Sequence, residues 1–344
     1  MSASLRVVQP GIYTTVQDSG RHGYQHLGIP VSGALDPLAM RLANRIVGNR
    51  DGEAVLEILH HGPTLKVRAD SVRVALVGGS AAMEIEGRAQ RIPGGRSVRL
   101  TSGDQLRIAA TGEAASAYLA VAGGFDLPGV LGSRSTYARG GFGGYRGRPL
   151  AAGDDLPLCS ADAPETLEQL LGEPAPARPG RLRVIPGPQH DHFTAEAIAM
   201  LETADYTVSR ASDRMGMRLD GPALDHKGRF NIVSDNIAPG AIQVPGDGLP
   251  IILLADRQTT GGYPKIATVI SSDLPALGRL RPGDPLRFES VGLEDAADAR
   301  RELADSFTRI CAGIQTVEAQ GPPDEDALRS ENIIGGVVHA TDAE

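Results

Sequence analysis

Short aliphatic and β-branched runs recur through the first half of the chain: Leu5–Val8, Ala54–Leu59, Thr64–Val67, Val72–Val77, Ala82–Ile85, Gln105–Ala109 and Ala117–Val121. Gly, Pro, Asp and Ser separate them at short intervals, the pattern of an antiparallel barrel or sandwich. One helix interrupts the series. Asp36 is its N-cap, Pro37 its first residue, Leu38, Leu42 and Ile46 its apolar stripe, and Gly48 its end. It is expected to plug or flank the first barrel.

From Ala161 to Gly180 the chain turns Ala/Pro/Glu-rich, a composition that forms no core and stiffens as an extended linker. Beyond it the pattern predicts strands at Leu182–Ile185, Tyr206–Ser209, Ala241–Val244, Pro250–Leu254, Ile266–Ile270 and Leu286–Glu289, with a helix over Phe193–Leu201. Leu293, Ala296, Leu303, Phe307, Ile310 and Ile314 give a helical stripe over Leu293–Gln315, expected to dock on its own domain or on a partner. The chain thus divides into an N-terminal domain over 1–172, a linker over 173–180 and a C-terminal domain over 181–320 that carries the last helix. A polar, acidic tail over 321–344 is expected to be mobile, except for a strand-like Ile333–Val338.

The length of 344 residues favours two domains. With 43 Gly, 24 Pro, no Trp and 4% aromatic residues, the cores must be aliphatic and the topology rich in turns. A net charge of −8, with no polybasic block, argues against a nucleic-acid partner. The N-terminus lacks the regions of a secretory signal and no run approaches the length of a membrane span, so a cytoplasmic protein is expected. Cys159 and Cys311 are far apart and read as reduced, mostly buried thiols.

The candidate chemistry lies in two Gly-rich segments, Thr14–Tyr24 and Asp256–Lys265. Each packs hydroxyls, an amide or carboxylate, a basic residue and a tyrosine around glycines that let backbone N–H groups approach a ligand. Such loops suit a small polar substrate. Asp18-Ser19-Gly20-Arg21 is weakly echoed by Ser212-Asp213-Arg214-Met215-Gly216, a short match that Gly/Asp-rich turns often mimic; duplicated barrels are expected mainly because both halves show the same strand spacing. His60-His61 and His190-Asp191-His192 have no third ligand at a recognisable spacing, so no metal site is assigned. No G-x-S-x-G nucleophile elbow is present.

Tyr13–Tyr24, Gly33-Ala34-Leu35-Asp36, Ala43-Asn44, Val47-Gly48-Asn49 and Tyr118–Gly124, with Ser212–Gly216 and Gln258–Pro264, closely resemble the biotin-dependent carboxyltransferase family, also called allophanate hydrolase subunit 2. The resemblance covers about Leu5 to Leu293. One departure is Arg279, where the family pattern has Gln before Leu280. The resemblance implies a mainly β fold of two cyclophilin-like β-barrel domains with a few short helices and a C-terminal helix. Within the family the chain looks most like the C subunits of bacterial 5-oxoprolinases, which act with A and B subunits. Relatives include the carboxyltransferase region of urea carboxylase, which would need biotin supplied in trans, and a non-enzymatic regulator of a sensor kinase.

The first of these implies ATP-driven opening of the lactam of 5-oxoproline to glutamate, through phosphorylation of the carbonyl oxygen and attack by water. ATP with Mg2+ is assigned to the complex. This chain has no P-loop sequence, and Gly140-Gly141-Phe142-Gly143-Gly144 lacks the Lys and Ser/Thr that grip phosphate and metal. Asp18 and Arg21 are candidates to hold the substrate amide and carboxylate, or else form a turn locked by their own ion pair; Asp213 and Arg214 carry the same two readings. Gln258, Thr259, Thr260, Gly261, Gly262, Tyr263 and Lys265 form the fuller candidate site, with neutral donors to polarise a carbonyl and Lys265 to stabilise negative charge, or else a hairpin that merely uses glycines. Tyr24 and His26 are candidates to share the Arg21 cleft, His26 as a proton carrier or simply as a strand-end cap.

Overall fold

The strand Ser71–Val77 is buried along its whole length because its two faces serve two cores. A computed structural model describes residues 3–88, 91–176 and 179–317. Val72, Val74 and Leu76 join an aliphatic core with Leu5, Val16, Leu56 and Leu106, while Ala75 and Val77 turn to the opposite side. The two-residue side-chain period of a strand makes this partition, and Ser116–Val121 repeats it with Leu119 inward and Tyr118 outward.

The first core lies between two sheets. One runs Asp155–Pro157, Ser4–Gln9, Thr64–Arg68, Gln105–Ile108, Ala82–Ile85, Arg91–Pro93. The other runs Tyr13–Gln17, Val55–Leu59, Ser116–Val121, Ser71–Val77, Arg96–Thr101, Glu168–Leu171, Ile314–Val317. Helix α1 (Pro37–Ile46) flanks the second sheet on its outer side and buries Leu38, Met40, Leu42 and Ile46. Asp36 caps it by accepting the Ala39 N–H at 3.0 Å, as the Asp-Pro start predicts.

The second half is an eight-stranded sheet in the order Pro285–Leu286, Tyr206–Val208, Gly216–Asp220, Ile251–Leu253, Ala241–Gln243, Lys265–Val269, Leu182–Pro186, Phe288–Ser290. Helix α2 (Ala195–Thr203) starts on Thr194, whose hydroxyl accepts the Ala197 N–H at 3.0 Å. A ribbon pairs Asp235–Asn236 with Thr260–Gly261. The protein is mainly β with barrel-like sheets, as the resemblance implies. Among the described residues no helix is long and apolar enough to cross a membrane.

The halves meet at the short helix α3 (Leu274–Leu277) and the turn after it. Ser116 Oγ donates to Gly278 O at 2.7 Å, the Ala115 N–H to Arg279 O at 2.9 Å, and Arg279 Nε to Asp36 Oδ2 at 2.5 Å. Gly278 lies so close to the first half that a Cβ there would sit 2.7 Å from Leu35 C. Arg279, the departure from the family pattern, is therefore a clamp between the halves.

Two expectations are corrected. The last helix, α4 (Leu293–Ala312), packs through Phe307 and Ile310 on α1 of the first half, with the Arg41 guanidinium 3.6 Å above the Phe307 ring. It stops at Gly313, and Ile314 opens the strand Ile314–Val317 that pairs with Glu168–Leu171. Gly172 N–H donates to Gly313 O at 3.2 Å, so the chain leaves and re-enters the first half at one place. The thiols are also less buried than composition suggests: Cys159 follows the edge strand Asp155–Pro157 and is exposed, and Cys311 on α4 is half-buried. The tail, including Ile333–Val338, lies outside the described residues.

Candidate functional site

The strand Tyr13–Gln17 delivers Asp18 into a turn whose Gly20 has φ +89°, a conformation open chiefly to glycine. Asp18 Oδ1 accepts the Gly20 N–H at 2.8 Å and the hydroxyls of Ser133 and Ser135 at 2.6 and 2.5 Å. Its Oδ2 accepts the Arg134 N–H at 2.5 Å. The carboxylate thus pins this turn to the 133–135 loop, and these four donors engage both of its oxygens. Arg21 is not its ion-pair partner among the described contacts.

Arg21 is fully buried, donates from Nη2 to Ser135 O, and lies 4.9 Å from the Phe142 ring centroid. Its Nε and Nη1 have no partner among the described residues. Burial pulls its pKa below the ordinary value, and the charges of Asp18 and Asp256 counter only part of that. Tyr24 is half-buried and His26 is exposed in a 3-10 turn; neither side chain hydrogen-bonds among the described residues.

The echo of this turn in the second half behaves similarly at its acid. Asp213 Oδ1 accepts the Met215 and Gly216 N–H groups at 2.8 and 3.1 Å. Arg214 instead crosses between halves. Its Nη1 donates to Glu57, its Nη2 to Gly33 O at 2.6 Å, and its Nε to Asp256 Oδ2 at 2.9 Å. Burial alone would depress its pKa, but Glu57 and Asp256 raise it, so the guanidinium stays charged.

The residues after Asp256 separate into two groups. Arg257 turns inward, while Gln258 Nε2 donates to Gln243 Oε1 at 3.3 Å and Gln243 in turn reaches Tyr263 O at 3.3 Å. Buried Lys265 donates to Asp235 Oδ2 at 2.6 Å and Asn236 O at 3.2 Å. The Lys265 ammonium, then the Asn236 N–H and the Gln189 amide, hold the Asp235 carboxyl below the usual range. Thr259 is buried, Thr260 and Tyr263 are exposed, and neither Gly261 nor Gly262 has a positive φ. Gly261 packs closely, since a Cβ would come 2.7 Å from Gln243 Nε2 and from Ile237 Cδ1, and both side chains would have to shift.

Between the halves lies a cavity of about 400 Å³. The first segment contributes Asp18, Ser19 and His22 to its wall, and the second contributes Arg257. The Gln258–Lys265 side chains do not line it, so the two predicted loops share this cavity only at their near ends. Sequence reasoning missed Glu57, Ser133, Ser135, Asp235 and Arg257. Arg257 stands inside the segment that drew attention, but its residue type alone does not announce a buried cation.

Gly143 and Gly144 of the Gly140–Gly144 loop are needed for close packing. A Cβ on Gly143 would meet Ser135 O at 2.0 Å, and one on Gly144 would meet Thr136 Oγ1 at 1.9 Å. Their freedom is used to pack this loop on the 133–136 loop, with Phe142 edge-on to Tyr137 at 5.5 Å.

A model of the carboxyltransferase domain, subdomains A and B, matches residues 27–290. The chain belongs to this carboxyltransferase family. It is 36% identical over 310 residues to the 5-oxoprolinase C subunit of Escherichia coli (strain K12), covering 89% of this chain and 97% of that protein. It is 37% identical over 300 residues to the 5-oxoprolinase C subunit of Haemophilus influenzae, covering 86% and 95%. The crystal structure of the K. lactis urea amidolyase superposes with a TM-score of 0.82 at 31% identity, over 90% of this chain but 20% of that one. This member of the family therefore matches the two 5-oxoprolinase proteins nearly end to end, and the urea amidolyase as a fraction of a larger chain.

Proposed function

We propose that this chain is the C-type subunit of an ATP-consuming 5-oxoprolinase that opens 5-oxo-L-proline to L-glutamate in the cytoplasm together with A and B subunits. The observation that carries the reading is the near end-to-end match to two 5-oxoprolinase C subunits, 97% and 95% of their lengths. The urea amidolyase match extends over a fifth of its partner. ATP with Mg2+ is assigned to the complex as a whole, since this chain has no P-loop sequence and its Gly140–Gly144 loop carries no lysine.

The chain's own contribution is to bind and orient the substrate in the space between the halves. Asp18 acts there as the pin that holds the loop in shape. Buried Lys265 holds the Asp235–Asn236 strand in place from below, while exposed Gln258 keeps one amide N–H for a carbonyl or carboxylate presented at that face by an adjoining protein of the complex. A second reading, a carboxyltransferase that passes CO2 from biotin to an amide such as urea, is favoured by the TM-score of 0.82 to urea amidolyase. It requires biotin carried on another chain.

Coexpression with candidate A and B subunits and an assay for glutamate and ADP formed from 5-oxo-L-proline tests the proposal. Turnover that disappears when this chain is omitted supports it. A purified complex that ignores 5-oxo-L-proline but consumes bicarbonate and urea in a biotin-dependent way transfers the assignment to the second reading.

A further inference from the structure

The cavity between the halves contains a buried cation that no acidic side chain answers. Arg257 is 3% exposed, and its guanidinium donates only to main-chain carbonyls, Nε to Ile237 O at 3.1 Å and Nη1 to Leu254 O at 3.3 Å. No carboxylate pairs with it among the described residues. Arg214, equally buried, takes both Glu57 and Asp256 and leaves none over. Burial, with nothing to oppose it, lowers the Arg257 pKa to about 10. An unpaired buried charge is costly to a fold, and this one faces open space.

Ser32 gives a second, independent sign on the same wall. It is 6% exposed, adopts φ +56°, and its hydroxyl has no partner among the described residues. Its backbone is fixed by the Ser32 N–H donating to Ala255 O at 3.1 Å, across the joint between the halves. Strained backbone that holds an unsatisfied polar atom against a cavity is a feature of ligand sites. Asp18 is the one carboxylate among the lining residues, and its oxygens are taken by the four donors of its own turn and loop. The other cation on the wall, Arg41, is paired with Asp51. Val31, Leu35, Met40, Leu253 and Leu277 make much of the rest apolar, and about 400 Å³ falls within the range of small-molecule sites.

We infer that this cavity binds a small monocarboxylate with a compact ring or aliphatic body, its carboxylate on the free edge of Arg257 and a second polar group on Ser32. In naming 5-oxo-L-proline as the first probe, the inference rests on the function proposed above; the site itself rests on the cavity.

Titration calorimetry on the full chain uses three probes: 5-oxo-L-proline, 2-pyrrolidinone, which is the same lactam without the carboxylate, and cyclopentanecarboxylate, which is a ring acid without the lactam. Both acids are expected to bind, and the neutral lactam at least about tenfold more weakly, the scale of one charge-assisted hydrogen bond. Arg257→Gln retains a donor for Ile237 O but removes the charge, and should erase the preference for acids. Ser32→Ala removes only the hydroxyl and should weaken 5-oxo-L-proline about three- to tenfold. It decides the question if Arg257→Gln does not fold. Binding of cyclopentanecarboxylate that depends on Arg257, without binding of 5-oxo-L-proline, keeps the site and removes the proposed substrate. Failure of both acids, equal affinity for the neutral lactam, or affinities unchanged in the variants overturns the inference.

Discussion

Arg214 of the second half reaches Glu57 on an inner strand of the first, and the two side chains are 5% and 0% exposed. Glu57 is tied further into its own half, where its Oε2 accepts the Tyr118 hydroxyl at 2.9 Å and the Leu35 N–H at 2.8 Å. The Tyr118 hydroxyl in turn accepts the Asp36 N–H at 2.7 Å, just ahead of α1. Burial, with the charges of Glu57 and Asp36, pushes the Tyr118 phenol well above its ordinary pKa, so it remains a neutral donor. The orientation of the halves, and the shape of the cavity between them, rest on this chain of contacts.

Replacing Arg214 by Met should lower the unfolding free energy by about 3–5 kcal/mol, because Glu57 and Asp256 are then buried without their cation. Urea denaturation measures this. A loss within about 0.5 kcal/mol would show that the bridge is not a structural link.

Asp18→Asn leaves fewer acceptor sites for the two hydroxyls and two N–H groups that Asp18 now serves. A loss of about 2 kcal/mol is expected, with faster amide exchange at Arg134 and Ser135 than in the parent. Exchange that is unchanged there would mean the 133–135 loop is held by other contacts.

Asp154 supplies the clearest pH dependence. Burial would raise its pKa, but the Arg148 guanidinium, at 2.8 Å to each oxygen, and the Ala151 N–H hold it below the ordinary carboxylate value. A group whose pKa is lower in the folded state contributes stability above its unfolded value, ~3.9, and loses it as pH falls through the folded one. Thermal unfolding from pH 6 downward should therefore show a decline in this acid window that is shallower in Asp154→Asn. Parallel curves for the two proteins would remove Asp154 from the account.

Cys159 should react with a thiol reagent in the native state and Cys311 mainly after urea is added, since only the former is exposed. Burial raises both thiols above their ordinary pKa, so even Cys159 should label slowly at neutral pH and faster as pH rises. Cys159→Ser should remove the native-state phase.

Much of the fold was legible because it follows from local rules. The β-branched run Val72–Val77 and the Asp36-Pro37 start of a helix carry their own physics, and both appear as expected. The docking of α4 was not legible, since the apolar stripe of a helix says that a face is buried but not against what. The two turns were found by their glycines, and the structural reading of Asp18 differs in detail: its partners are Ser133, Arg134 and Ser135, far away in sequence. Gln258 and Lys265 were chosen by chemical type, yet their neighbours Gln243 and Asp235 come from other strands. Arg257 became conspicuous only through the absence of an acid around it.

The pairing of Leu171 with Ile314, and of Gly172 with Gly313, closes a neck through which everything between them is looped. A nascent chain must emerge past Val317 before the outer edge of the seven-stranded sheet is covered. Once that edge is sealed, a single protease cut within the loop leaves two fragments that remain associated, because each is stitched into the same sheet on either side of the neck.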